Sequence, residues 1–94
     1  MMQFDEQHKI ALISILEIVL MSGGNVKYSM AVAKLNSLYN ITIKDCYKHP
    51  EYLKTVLKDG YKGDYNSIIE EVKSRLGNLV NEKDIAEFLK IMES

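Results

Sequence analysis

The feature that most limits what this chain can fold into is an apolar run over residues 10–21, IALISILEIVLM, broken only by Ser14 and Glu17. A helix that crosses a bilayer needs about 20 apolar residues, so a run of this length with a carboxylate inside it predicts no membrane span. A buried parallel strand is the competing reading of an Ile-rich run. The run is long for a strand, and no other segment alternates with period two, which favours a helix. Asp5 is placed to cap that helix, and Gly23 and Gly24 to stop it after Ser22, giving a helix over roughly residues 4–21. At about 100° per residue, Glu6, Gln7, Ser14 and Glu17 fall on one narrow strip, and everything else from 10 to 21 is apolar. A helix apolar on so many sides is either surrounded by its own fold or shared with a partner subunit. It is expected to be the buried spine, with Ile13, Leu16 and Leu20 as the self-association face.

The rest of the chain reads as short capped amphipathic helices. Asn25 can cap a second helix that runs to Tyr39, with Tyr28, Ala31, Val32, Leu35, Leu38 and Tyr39 on one face and Asn40 in a left-handed closing position. Thr42 and Asp45 have the spacing of a capping box, with Ile41 and Cys46 as a hydrophobic staple, so a short helical turn is expected to end near His49. Pro50 suits the first position of the next helix, which presents Leu53, Val56 and Leu57 and ends by Gly60. Asp64 is expected to cap a helix carrying Tyr65, Ile68, Ile69, Val72 and Leu76, closed by Gly77. Asn81 with Asp84 is expected to open the last one, with Ile85, Phe88, Leu89 and Met92 inward. The predicted fold class is all-α, a compact bundle of about five short helices around the strongly apolar first helix, in one domain over residues 1–94.

Composition supports an ordinary globular chain: 47% of the 94 residues are hydrophobic and 27% charged, which excludes a disordered or collagen-like class. A core of this size is modest, and dimerisation would supplement it. The single cysteine, Cys46, allows no internal disulfide and suits a reducing compartment. Residues 1–9 carry Asp5 and Glu6 where a secretory leader would be basic, so the expected location is the cytoplasm.

Few residues suggest chemistry. Cys46 and His49 are three apart beside Asp45, a spacing compatible with a thiolate–imidazole pair. The plainer reading packs Cys46 as a small apolar side chain, with His49 ahead of Pro50 at a helix start. A zinc site would need about four ligands, and His8 is the only other histidine. Ser22-Gly23-Gly24-Asn25 leads into a helix as anion-binding loops do, but lacks the Walker spacing and reads as a hairpin connection. The adjacent Glu70 and Glu71 point to different parts of a helix surface. No catalytic residue, cofactor or metal is predicted, and the chain is not expected to be an enzyme.

Charge is uneven. The net charge is −1, yet residues 27–62 carry seven lysines against three acids, between acidic flanks. Lys44 with Lys48, and Lys54 with Lys58, are four apart and could each line one side of a helix. Five of the six tyrosines (Tyr28, Tyr39, Tyr47, Tyr52 and Tyr61) share this stretch, and lysines with stacking rings suit nucleic acid. Against a helix-turn-helix reader stand the slightly acidic total, the single arginine, Arg75, and the lack of Asn or Gln on a candidate reading helix. Tyr28 and Tyr39 also fit the core face of their helix. Nucleic-acid binding through Lys44, Lys48, Lys54 and Lys58 is the alternative reading.

The stretch LNSLYNITIKD over residues 35–45, then HPEYL over 49–53, then GDYNSII over 63–69, resembles small all-helical archaeal proteins of unassigned function. These share a helix ending in a Tyr-x-Ile-Thr/Ser turn, a Pro-Glu-x-Leu helix start, and a glycine before a final amphipathic helix. The resemblance covers about two thirds of the chain and implies an all-helical fold; its motifs are caps and core positions and carry over no catalytic or binding residue. The leading expectation is a non-enzymatic helical interaction or regulatory module, with a homodimer or another protein as partner.

Overall fold

Asp5 turns the chain into its first helix by a local bond: its backbone is extended, and its Oδ1 accepts the N–H groups of Gln7 and His8 at 2.9 and 3.2 Å. The computed structural model describes residues 3–94, and the first two residues of the expected domain and N-terminal segment lie outside them. Helix α1 spans Glu6–Ser22 and α2 spans Asn25–Tyr39. Between them Gly24 holds φ at 122°, a conformation closed to residues with a Cβ, and it occupies the N-cap position of α2. Asn25 is therefore the first helical residue rather than the cap, and α2 starts with no side-chain capping bond. At the other end Asn40 does sit left-handed, at φ 56°, and its N–H closes on the carbonyl of Asn36.

A 3₁₀ turn, Ile43–Lys48, follows. Its start is closed by the backbone, Asp45 N–H donating to the Thr42 carbonyl at 3.0 Å, with no capping bond from the Thr42 side chain. Pro50 then opens α3 (Pro50–Gly60) at its first position, where a missing N–H costs nothing. A 3₁₀ turn Lys62–Asp64 leads to α4 (Tyr65–Leu76), closed by Gly77 at φ 58°. A third turn, Gly77–Asn81, delays α5 to Lys83–Glu93, so Asn81 and Asp84 do not form the expected start. No strand occurs among the described residues, and no helix there is long and apolar enough to cross a membrane.

The five α-helices close a ring in the order α1, α2, α3, α5, α4, and α1 also touches α5 and the 3₁₀ turn Ile43–Lys48. Inside it Leu12, Leu16, Leu20, Leu35, Leu53, Leu57, Ile85, Phe88 and Met92 are fully buried, each contributing about 1.5–3 kcal/mol of apolar transfer. Two tyrosines tie helix ends across the ring. The Tyr61 hydroxyl donates to the Leu20 carbonyl at 3.2 Å, and that of Tyr65 to the Met92 carbonyl at 2.6 Å, satisfying acceptors near the C-terminal ends of α1 and α5.

Candidate interaction face on the first helical hairpin

The same spacing that buries one side of α1 turns another to solvent. Leu12, Leu16, Val19 and Leu20 face the core, and Ile10, Ser14, Ile18 and Met21 face out. Ile10, Ser14, Glu17 and Met21 stand at i, i+4, i+7 and i+11, the interval of a helix–helix seam. Helix α2 repeats the pattern. Ala31 and Leu35 are buried, while Val26, Met30, Ala33 and Ser37, at the same intervals, are exposed. The exposure is substantial for side chains of this kind: 56% for Ile10, 74% for Val26 and 57% for Met30.

Charge has been drawn off this face. The two charged residues of α2 lean toward the ring, Lys34 to Asp59 of α3 and Lys27 to Asp64 at 4.0 Å. On α1, Lys9 pairs with Glu6 at 3.0 Å and lies over the Tyr47 ring. Glu17, at the edge of the face, accepts the Tyr28 hydroxyl at 2.8 Å across the α1–α2 hairpin. Burial first, and then that bond, push Tyr28 up to about 12, so its proton stays in place. What remains outward at positions 10, 14, 18 and 21 and at 26, 30, 33 and 37 is apolar or small, while the polar Gln7, Asn25 and Asn36 are also exposed on these two helices.

The expected self-association residues are only partly on this face. Leu16 and Leu20 have no exposed surface and belong to the core, because the ring closes over them; Ile13 is half-buried. The exposed apolar side chains Ile10 and Met21 instead lie within the strip marked by Ser14 and Glu17.

Lys44 and Lys48 fall on the turn Ile43–Lys48, and Lys54 and Lys58 on α3. In a 3₁₀ turn three residues complete a turn, so Lys44 and Lys48, four apart, diverge by about 120°. Lys48 lies over the Tyr47 ring, Lys54 bonds to Ser94, and Lys58 lies over the Tyr65 ring. The tyrosines serve the fold: Tyr61 and Tyr65 are buried, and Tyr39 stacks on Tyr52 with centroids 4.2 Å apart.

Cys46 has no exposed surface, and burial pushes its thiol up to about 12, the opposite of an activated nucleophile. His49 stacks on Tyr52 and is half-buried. A polar cluster that sequence reasoning missed joins the starts of α1 and α5. His8 Nδ1 lies 3.0 Å from both oxygens of Asp84, which also accept the N–H groups of Asp5 and Ile85. Glu82 stands 3.6 Å from His8 Nε2. Here Asp84 is the one buried charged residue among those described, fully bonded and without a metal-ligand set around it. Its bonds hold the fold's ends together. No family model, curated protein or solved structure matches this chain.

Proposed function

We propose that this protein is a non-enzymatic helical interaction module that acts by self-association, forming a homodimer through the outward face of α1 and α2. One observation carries the reading. Among the described residues the large apolar side chains most exposed, Ile10, Ile18, Met21, Val26, Met30 and Leu38, all belong to the first two helices, and all but Leu38 lie on or beside this face, while α3, α4 and α5 turn theirs inward. A monomer rarely leaves a contiguous apolar patch of more than a few hundred Å² in water. A net charge of −1 adds little repulsion between copies. The unpaired, buried Cys46 suits a reducing cytoplasmic setting. Size-exclusion chromatography with light scattering over a range of concentrations tests the reading: the mass should rise toward twice 10.8 kDa, and a strict monomer at high micromolar concentration would overturn it.

A further inference from the structure

The two outward seams match in height. Connected by Gly23 and Gly24, α2 turns back along α1, and the Tyr28–Glu17 bond joins the pair. Measured from that turn, Met21 and Val26 are equally far along their helices. So are Glu17 and Met30, Ser14 and Ala33, and Ile10 and Ser37. At 1.5 Å per residue these pairs form level layers across the face. One layer, Ser14 with Ala33, consists of small residues, which lets a facing backbone come close.

A second copy fits this surface. Helices of 17 and 15 residues lying about 8–10 Å apart present a footprint of roughly 25 by 20 Å, which is of the size one partner contributes at the small end of stable interfaces. Two such faces can meet with α1 against the partner's α1, or with α1 against the partner's α2. Charge separates the two. Helix α1 carries Glu6 and Glu17 against Lys9, and α2 carries only lysines, Lys27 and Lys34. Setting α1 on α1 would bring two partly covered Glu17 carboxylates toward each other in a drying interface, which disfavours it. Setting α1 on the partner's α2 puts Glu17 at the height of Met30, on a helix that carries no carboxylate.

Resting on the self-association reading above, we propose that two copies form a four-helix bundle about an axis parallel to the helices, each α1 packed against the partner's α2 with the Ser14–Ala33 layer closest. Both Gly23–Gly24 turns then lie at the same end of the bundle.

Single-cysteine insertions test the arrangement. Ser14→Cys and Ala33→Cys are exposed substitutions that leave the core intact, and Cys46 is buried in both. A disulfide requires Cα atoms within about 7 Å, so facing positions link and diagonal ones do not. In a glutathione redox buffer a mixture of the two variants should yield a crosslinked heterodimer, whereas Ser14→Cys alone should stay uncrosslinked. Crosslinking of Ser14→Cys with itself, or a dimer in which the mixture fails to link, would overturn this packing and leave self-association standing. A monomer in all samples would remove both.

Discussion

Asp84 holds the imidazole of His8, 76 residues away in the chain, between the starts of two helices, with both carboxylate oxygens 3.0 Å from Nδ1. The bond to Asp84, reinforced by the charges of Asp84, Asp5 and Glu82, holds His8 above its usual 6.5 against the opposing pull of burial. Lys83 and Glu87 line the same hollow. For Asp84, burial is the largest influence and pushes upward. The N–H of Asp5, the imidazole and the N–H of Ile85 together outweigh it and hold the carboxyl below 3.8.

A raised histidine stabilises the fold fully below its unfolded pKa, and that contribution is lost as pH rises through the folded value. A depressed carboxyl contributes above its unfolded pKa, and its share is lost as pH falls through the folded one. The pair should therefore be strongest between roughly pH 4 and 6.5. Urea unfolding of the protein and of His8→Gln across pH 4 to 9 should show the largest gap in that window, narrowing toward alkaline pH. A gap that widens above neutral pH would contradict the ion pair.

Removing the acceptor is a harsher change. Asp84→Ala leaves the N–H of Ile85 and of Asp5 without their side-chain acceptor, at about 1–3 kcal/mol for each such group that remains buried. A midpoint in urea unchanged from the parent would show that the cluster does not hold the two helices.

Cys46 should be silent in the folded protein. With no exposed surface and a thiol pushed to about 12, it should react with a thiol reagent at neutral pH only on unfolding, so the labelling rate should track the population of open molecules. Rapid stoichiometric labelling under native conditions would place the thiol at an accessible surface.

Gly24 carries a requirement of its own. At φ 122° an alanine is strained, so Gly24→Ala should lower stability by about 1–3 kcal/mol, seen as a lower melting temperature by circular dichroism. No side chain stands within 4 Å of its would-be Cβ, so the loss is conformational rather than steric crowding.

Features set by neighbouring backbone chemistry were readable in advance. Asp5 as a cap, Asn40 as a left-handed terminator, Pro50 at a first helical position and Gly77 as a stop each depend on a few adjacent residues. What depends on the path of the whole chain was not. The sides of α1 that face α2, α4 and α5 follow from the ring, which is why Leu16 and Leu20 looked available while Ile10 and Met21 were not named. Lys44 and Lys48 seemed to share a side only if their turn were an α-helix. The His8–Asp84 bond spans almost the whole chain and leaves no local pattern. Spacing did hold one trace of the outward face: the matching intervals of 10, 14, 17, 21 and 26, 30, 33, 37.

The engagement of Lys48, Lys54 and Lys58 with neighbouring groups has a direct consequence. A titration with duplex DNA at about 50 mM salt, where phosphate attraction is strong, should show no saturable binding. Tight binding that weakens steeply with added salt would restore the nucleic-acid reading.

Sedimentation equilibrium on three proteins tests self-association through the α1–α2 face most directly. The parent should dimerise over roughly 10 to 500 µM, a range suited to a small interface. Met30→Lys, which sets a charge in the middle of the seam, should be monomeric with unchanged helicity. Leu38→Lys, at an exposed apolar position off the seam, should dimerise like the parent. A parent that stays monomeric throughout, or a Met30→Lys variant that dimerises as well as the parent, would contradict it.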